Sequence, residues 1–192
     1  MTTLHLVRHG PTHAKAMVGW SDLPADLSDT AALARLDAHL PRDAVLISSD
    51  LIRSVHTADA IGQGRNRLAH DPQLREINFG EWELKTFPEI EVSHPELANV
   101  YWRTPGETAA PGGESWHQVQ ARIDAALDRL MAAHPGQDLI VVVHFGVIVT
   151  QIQRALGLTA TQAFGHKIDN LSVTEITRHD AGWDVARINH VP

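Results

Sequence analysis

The spacing of apolar and polar positions along the chain predicts strands that alternate with helices. Apolar runs predict strands at Leu4 to Val7, Ala44 to Ile47, Leu139 to Val143, Ser172 to Thr177 and Trp183 to Ile188. The third run is wholly apolar, which is expected of a central strand buried on both faces. The last two runs are expected to pair through a turn around Asp180 to Gly182. A short extended segment is also predicted at Leu68 to Leu74.

Apolar residues spaced three and four apart predict helices between these strands. The helices are expected from Ser28 or Asp29 to Pro41, from about Leu51 to Ile61, from Glu114 to His134 and from Val147 to Leu156. Side chains of Ser48-Ser49-Asp50 are expected to cap the second helix. This order of elements predicts one α/β domain over residues 1–192, with three layers: a mostly parallel sheet flanked by helices on both faces.

Two segments lack such periodicity. Pro11 to Asp26 is predicted to be a loop over the end of the first strand. Arg75 to Gly113 is rich in Glu, Pro, Gly and Trp, and it is predicted to hold one short helix near Phe87 to Ser93 within irregular chain. Because so long an irregular stretch is unusual inside a compact domain, we expect a lid-like insertion, about residues 75–113, that leans over a pocket.

The composition excludes several classes of function. The 192 residues include 16 basic and 23 acidic side chains, a net charge of −7, so the surface as a whole should repel nucleic acid and anionic membranes. An anionic substrate therefore needs a local cationic pocket. The absence of cysteine excludes disulfides, thiolate metal sites and thiol catalysis. The sequence contains no signal peptide pattern and no membrane span, so a cytoplasmic protein is expected.

The 13 histidines are scattered along the chain rather than grouped as metal ligands. His5 and His9, for example, would lie about 13 Å apart on an extended strand. Neither an HExxH motif nor another paired spacing is present. We therefore expect neither a metal site nor a cofactor.

Three predicted strand ends carry residues that together suit a phosphoryl group. The first strand ends at Arg8 and His9, the second leads to Arg53 in the first turn of a helix, and the central strand ends at His144. Parallel strands joined by helical crossovers bring such ends to one edge of the sheet. Arginine supplies paired donors for phosphate oxygens, and a helix after His144 would direct backbone N–H groups to the same place. The sequence thus predicts a pocket for a dianion that contains an imidazole able to attack it.

The residues around these positions resemble the motifs of a known family. The stretches concerned are Leu6-Val7-Arg8-His9-Gly10-Pro11-Thr12, Ser48-Ser49-Asp50-Leu51-Ile52-Arg53-Ser54-Val55-His56-Thr57-Ala58, Leu74-Arg75-Glu76-Ile77-Asn78-Phe79-Gly80-Glu81-Trp82-Glu83, Gly112-Gly113-Glu114-Ser115 and Val142-Val143-His144. These stretches resemble the motifs of the histidine phosphatase superfamily, which is also called phosphoglycerate mutase-like. They occur in the same order as in that family and extend over nearly the whole chain. The resemblance implies the fold of that superfamily and phosphoryl transfer without a metal.

The resemblance also implies the site residues, namely His9, Glu76 and His144 for catalysis and Arg8, Arg53 and Thr12 for phosphate binding. His9 would be the nucleophile that becomes phosphohistidine, with a hydrogen bond on one ring nitrogen fixing its tautomer. The arginines and His144 would hold the phosphoryl oxygens. Glu76 would protonate the leaving oxygen and then activate water, and burial in the lid region could raise its pKa for that task.

Some of these assignments have an alternative. Glu81 and Glu83 lie in the same stretch as Glu76, and any of the three could be a solvated charge, although the motif favours Glu76 as the acid. Thr12 is alternatively a plain turn residue, and Ser49 a plain cap. Packing, rather than a role at a substrate mouth, is expected of the tryptophans Trp20, Trp82, Trp102 and Trp116.

The chain also departs from the family pattern at several positions. Lys15 stands where many members have Asn, and a solvated lysine is the preferred interpretation. Phe145 stands where a second Gly often follows the catalytic His. Leu84 stands where many members have Gly after Trp-Glu. None of the positions assigned to the phosphoryl chemistry is lost.

Hydrolysis of a small phosphorylated metabolite through a phosphohistidine is the function that this pattern favours. A phosphoglycerate mutase is the rival enzyme, although the mutases of the superfamily are generally longer. The stretches Gly80-Glu81-Trp82-Glu83-Leu84 and Gly112-Gly113-Glu114-Ser115 resemble α-ribazole phosphatases of cobalamin synthesis. A non-catalytic phosphate-binding module would need the arginines but neither His9 nor Glu76. A homodimer, formed through the closing strands, is left open.

Overall fold

The computed structural model describes residues 1–192 and contains one six-stranded sheet. Its strands are β1 (Thr2–Arg8), β2 (Val45–Ser48), β3 (Asn66–Arg67), β4 (Leu139–Val143), β5 (Val173–His179) and β6 (Gly182–His190). The order across the sheet is β3-β2-β4-β1-β5-β6. The first four strands are parallel, β5 runs antiparallel to β1, and β6 pairs antiparallel with β5. The mostly parallel sheet and the closing hairpin are therefore confirmed.

Seven helices accompany the sheet. They are α1 (Thr30–His39), α2 (Ile52–Ala60), α3 (Phe87–Ser93), α4 (Pro95–Arg103), α5 (Trp116–Ala133), α6 (Phe145–Leu156) and α7 (Ala160–Ala163), with short 3₁₀ turns at Pro72–Leu74 and Gly80–Trp82. Apolar residues of α1 and α2 pack on one face of the sheet, and those of α5 and α6 pack on the other. This arrangement is the predicted three-layer α/β domain. No helix is both long enough and apolar enough to cross a membrane.

Strand register brings the predicted strand ends together. Arg8 on β1 pairs with Val143 on β4, and Ser48 on β2 pairs with Val142. The backbone N–H of His9 donates to the carbonyl of Val143 at 3.0 Å, one residue before His144. Parallel pairing thus places the chemistry of three strands at one carboxyl edge of the sheet, as expected.

The cap predicted for α2 is wrong. The helix begins after Leu51, and the side chain that accepts a backbone N–H of its first turn is that of Asp22, which lies 2.7 Å from the nitrogen of Ile52. Ser49 instead lies 2.7 Å from Nε2 of His144, and the Asp50 carboxylate accepts the guanidinium of Arg75 at 2.7 Å. The sequence before α2 is polar because it builds the site and its surroundings.

The segment from 66 to 113 differs most from expectation. The extended segment predicted at Leu68 to Leu74 is wrong, because the short strand lies at Asn66–Arg67 and residues 72–74 form a 3₁₀ turn. The helix predicted near Phe87 is confirmed, but α4 follows it directly. Pro95 begins α4 at a position where its missing N–H costs nothing, so the proline marks a start rather than a break.

Helix α6 also begins earlier than predicted, at Phe145 instead of Val147. His144 is therefore its N-cap residue, and Gly157 ends it in the left-handed conformation at φ 63°. The short helix α7 was missed by the periodicity, since it has one turn only. These shifts place His144 and the first turn of α6 directly at the site.

Candidate active site

A cavity of about 510 Å³ opens at the carboxyl ends of the parallel strands. Five of the six predicted site residues line it, and these are Arg8, His9, Thr12, Arg53 and Glu76. The sixth, His144, is fully buried and is not part of the lining. Its ring centroid lies 5.1 Å from that of His9, with the rings tilted by 59°. The structure thus brings all six together, with His144 behind His9.

The imidazole of His9 is held in one tautomer. Its Nδ1 lies 2.7 Å from the carbonyl oxygen of Gly10, which can only accept, so Nδ1 carries the proton and Nε2 keeps its lone pair. The amide of Asn170 donates to the carbonyl of His9 at 2.8 Å. Burial lowers the pKa of His9 to about 3, and the positive charge of Arg53 acts in the same direction. His9 is therefore neutral and able to attack at ordinary pH.

His144 is fixed by two hydroxyl groups. Its Nε2 lies 2.7 Å from Oγ of Ser49 and 3.3 Å from Oγ of Ser54, whereas its buried Nδ1 has no partner. Burial, followed by the charge of Arg53, holds the pKa of His144 well below its usual range. When a serine hydroxyl donates to Nε2, the ring proton sits on Nδ1 and leaves an unused donor beside His9.

Arg8 and Arg53 are cations without a carboxylate within ion-pair distance. Arg53 donates to the carbonyl oxygens of Ser21 at 2.8 Å and Gly19 at 2.6 Å, and Arg8 donates to that of Ile168 at 2.6 Å. Burial lowers the pKa of both guanidinium groups. Because each guanidinium has five N–H donors, both retain donors for an anion. The buried Arg53 and the half-buried Arg8 together favour an anion between them.

Glu76 is the buried carboxyl group of the cavity. Its Oε2 accepts the backbone N–H of Gly146 and its Oε1 that of Ile77, both at 3.0 Å. Burial raises the pKa of Glu76, and this effect outweighs the opposing hydrogen bonds and the charges of the two arginines. The group thus tends to keep a proton that it could give to a leaving oxygen.

Phe145, which departs from the family pattern, does not prevent a close approach of the backbone at this site. The close approach occurs at Gly146, where an added Cβ would lie 2.3 Å from Oε1 of Glu76. Phe145 itself lines the cavity, with the guanidinium carbon of Arg8 5.8 Å from its ring centroid. Lys15, the other departure near the phosphate pocket, is exposed and is not part of the lining.

Glu83 anchors the loop that holds Arg53 and is a poor candidate for the acid. Its carboxylate accepts the backbone N–H groups of Gly19, Trp20, Ser21 and Phe79 at 2.7 to 3.2 Å, and also the hydroxyl of Ser21 at 2.6 Å. Carbonyls of the same loop accept the Arg53 guanidinium. Glu81 is exposed. Among the three glutamates, only Glu76 lines the cavity.

Arg122 on α5 fixes the segment that carries Glu76, a role that sequence reasoning missed. It donates to the backbone carbonyls of Gln73 at 2.8 Å, Arg75 at 2.9 Å and Glu76 at 3.2 Å. Its charge is balanced by Glu114, which also accepts the backbone N–H of Asn78 at 3.0 Å. The only sequence signal was Glu114 in the Gly-Gly-Glu-Ser stretch.

The packing role predicted for the tryptophans is correct for Trp82, which is fully buried. It is wrong for Trp102, which lines the cavity and is 37% exposed, and incomplete for Trp116, which is buried but also lines it. Trp20 lies under the guanidinium of Arg75 and donates to the backbone carbonyl of Glu76 at 2.8 Å. No group of three or more His, Asp or Glu side chains is placed to hold a metal ion.

Comparison with known proteins agrees with this geometry. The family described as "Histidine phosphatase superfamily (branch 1)" matches residues 4–191. The "Adenosylcobalamin/alpha-ribazole phosphatase" of Salmonella typhimurium is 32% identical over 175 residues, covering 86% of this chain and 85% of that protein. The "Probable phosphoglycerate mutase GpmB" of Yersinia pestis is 29% identical, with 95% and 88% covered. The structure of "Bacillus stearothermophilus YhfR" superposes with a TM-score of 0.91 at 28% identity, covering 100% and 98% of the two chains.

Proposed function

The chain belongs to branch 1 of the histidine phosphatase superfamily, and on that basis we propose that it hydrolyses small phosphomonoesters through a phosphohistidine at His9. One observation carries the proposal. A neutral imidazole with a free Nε2 shares its cavity with two arginines that have no carboxylate partner and with a buried carboxyl group of raised pKa. Nucleophile, anion binder and acid are the three parts that this reaction requires.

In the first step, the lone pair on Nε2 of His9 attacks phosphorus and the P–O bond to the alcohol breaks. Arg8, Arg53 and the Nδ1–H of His144 stabilise the charge on the three equatorial oxygens. Glu76 gives its proton to the leaving oxygen, so a neutral alcohol departs and a carboxylate remains. Thr12, on the same cavity wall, supplies a hydroxyl to a phosphoryl oxygen.

In the second step, water attacks the phosphohistidine. The Glu76 carboxylate accepts a proton from this water, the P–N bond breaks, and inorganic phosphate leaves. Glu76 is then protonated and His9 neutral, as at the start. The backbone N–H groups of Gly146 and Ile77 stabilise the carboxylate form during the interval.

A phosphoglycerate mutase is the second candidate, since one relative carries that name. A mutase that binds a phosphorylated glycerate must also hold its carboxylate, and cations suit that purpose. The cavity lining offers only Arg8 and Arg53, which are both assigned to the phosphoryl group. Hydrolysis is therefore the better supported activity.

The identity of the substrate and a purely binding role are further alternatives, and both stay proposals. A relative named for α-ribazole phosphatase activity makes α-ribazole phosphate a substrate to test. A non-catalytic phosphate-binding module would gain nothing from a buried acid of raised pKa beside the pocket. The expected cytoplasmic location and a homodimer stay predictions.

The test is hydrolysis of phenyl phosphate in excess EDTA by the native protein, His9→Ala and His13→Ala. His13 is an exposed neighbour bound to Asp26, and it serves as the matched control. We expect native and His13→Ala proteins to turn over alike in EDTA and His9→Ala to be inactive while still folded by circular dichroism. Equal turnover by His9→Ala, or loss of native activity in EDTA, would contradict the mechanism. A panel that includes α-ribazole phosphate and 3-phosphoglycerate would then identify the substrate.

A further inference from the structure

The charged side chains of the cavity are confined to the region where the phosphoryl group binds. Of the 22 residues that line the cavity, 12 are hydrophobic, and the charged ones are Arg8, Arg53 and Glu76. The remaining polar side chains of the lining are His9 and a few hydroxyl groups. The part of the cavity beyond the phosphate therefore offers apolar contact and little else.

One group of aromatic rings lies next to the phosphate-binding residues. Phe145 has the guanidinium of Arg8 5.8 Å from its ring centroid on one side and the ring of Phe164 at 6.3 Å. The ring of Trp116 follows Phe164 at 4.4 Å. Three elements, α5, α6 and the end of α7, thus present a continuous aromatic surface that begins at the phosphate site.

A second group of aromatic rings comes from the insertion. Phe87 on α3 and Tyr101 on α4 each contact Trp102 edge-on, with centroids 5.0 and 4.7 Å from its ring. All three line the cavity, and the buried Trp82 packs against Tyr101 and Trp102, with ring centroids 5.1 and 6.0 Å apart. Residues 87–102 therefore contribute an aromatic wall to the cavity.

Much of this aromatic surface is left in water. Phe87 is 53% exposed, Phe164 38% and Trp102 37%. A contiguous apolar surface beside a catalytic site marks a binding surface, because a bound apolar group would remove it from water. The cavity volume of about 510 Å³ lies within the range of sites for ligands larger than a three-carbon acid.

We infer that the alcohol part of the substrate is a flat, uncharged, largely apolar group, and that Phe145 helps to select it beside the phosphate. The inference rests on the proposed function and narrows it to a substrate class. Phe145 lines the cavity next to Arg8, so its ring lies beside a group that is proposed to hold the phosphate. A second anionic group on the substrate would find no cation in the lining other than Arg8 and Arg53, which are both assigned to the phosphoryl group.

The test compares phosphate esters of primary alcohols, so that the leaving oxygens have similar basicity. The esters are 2-(2-naphthyl)ethyl phosphate, n-butyl phosphate and 3-phosphoglycerate. We expect kcat/KM to be at least about tenfold higher for the naphthyl ester than for the butyl ester, with 3-phosphoglycerate lowest. Equal values for the three esters, or the highest value for 3-phosphoglycerate, would overturn the inference.

Substitutions in the aromatic surface test whether these rings cause the preference for the naphthyl ester. Phe145→Leu keeps apolar bulk and loses the ring, and we expect it to reduce the naphthyl-to-butyl ratio by about threefold to tenfold. Phe164→Leu tests the same surface away from the helix start, should Phe145→Leu fold poorly. Val92→Ala, which changes an exposed residue outside the cavity lining, should leave the ratio unchanged. An unchanged ratio in both phenylalanine variants would remove the proposed role of the aromatic surface.

Phenyl phosphate separates failure of this inference from failure of the proposed function. If the native protein hydrolyses phenyl phosphate in a His9-dependent manner and yet treats the three alkyl esters alike, only the substrate class is wrong. If it hydrolyses none of the four esters, the proposed function fails and the inference fails with it.

Discussion

Gly146 and Glu76 lie so close that the site excludes any side chain at position 146. The backbone N–H of Gly146 donates to Oε2 of Glu76 at 3.0 Å, and an added Cβ would lie 2.3 Å from Oε1. The first turn of α6 therefore sets the position of the acid. This contact links the helix that follows the central strand to the segment that carries Glu76.

Gly146→Ala should displace the Glu76 carboxyl group and lower kcat/KM for an alkyl phosphate by about 10²-fold or more, as loss of a positioned acid does. The double variant with Glu76→Gln tests the cause. If the added methyl group acts through Glu76, the second change should add little further loss. Fully additive losses in steady-state kinetics would show that the two residues act independently.

The raised pKa of Glu76 predicts a pH dependence. Because Glu76 must be protonated to assist the leaving oxygen, kcat/KM for an alkyl phosphate should fall as pH rises through the pKa of Glu76, above the usual range for glutamate. Phenyl phosphate, whose leaving group needs less help, should lack this alkaline limb. Glu76→Gln should abolish the limb for the alkyl ester. A limb of equal size for both esters in the native protein would assign it to another group.

Glu83→Gln should weaken the loop that holds Arg53. Replacing the carboxylate by an amide weakens its hydrogen bonds to the loop, and we expect about 1 to 3 kcal/mol lower free energy of unfolding. The rise in KM should exceed the fall in kcat, because Arg53 binds the phosphoryl group before and during reaction. Glu81→Gln, at an exposed position, is the matched control. Urea unfolding measures the first effect and steady-state kinetics the second. Identical behaviour of the two variants would show that Glu83 does not hold the loop that positions Arg53.

Leu84 predicts a stabilising substitution. Its φ is 62°, in the left-handed region that glycine adopts without a Cβ penalty. Its side chain is 53% exposed, so little packing would be lost. Leu84→Gly should therefore raise the free energy of unfolding by about 0.5 to 1 kcal/mol. A lower melting temperature in calorimetry would show that Leu84 makes a contact that outweighs its backbone strain.

The sequence predicts those strands, helices and caps that depend on residues close together along the chain. The wholly apolar run from Leu139 to Val143 is the central strand, and Asp29 is the cap of α1. The motif residues converge because parallel strands end at one edge. The helix α4 was missed because Pro95 resembles a break when its tertiary surroundings are unknown.

The contacts that fix the site depend on distant parts of the chain. Glu83 holds a loop 62 to 64 residues earlier, and Arg122 holds carbonyls 46 to 49 residues earlier. Neither residue differs locally from a solvated charge, so periodicity and capping rules give no signal. The aromatic surface around Phe145 likewise consists of rings from separate helices, so it depends on the tertiary packing of those helices.

The central claim is that His9 carries the phosphoryl group between the two steps. Glu76→Gln mixed with ³²P-labelled phenyl phosphate should accumulate this intermediate, because the leaving group departs without an acid while water lacks its base. Rapid quenching and peptide mapping should find acid-labile, base-stable label on His9, approaching one group per chain, and none in Glu76→Gln combined with His9→Ala. Native turnover of phenyl phosphate with no label on His9 in either protein would contradict the account.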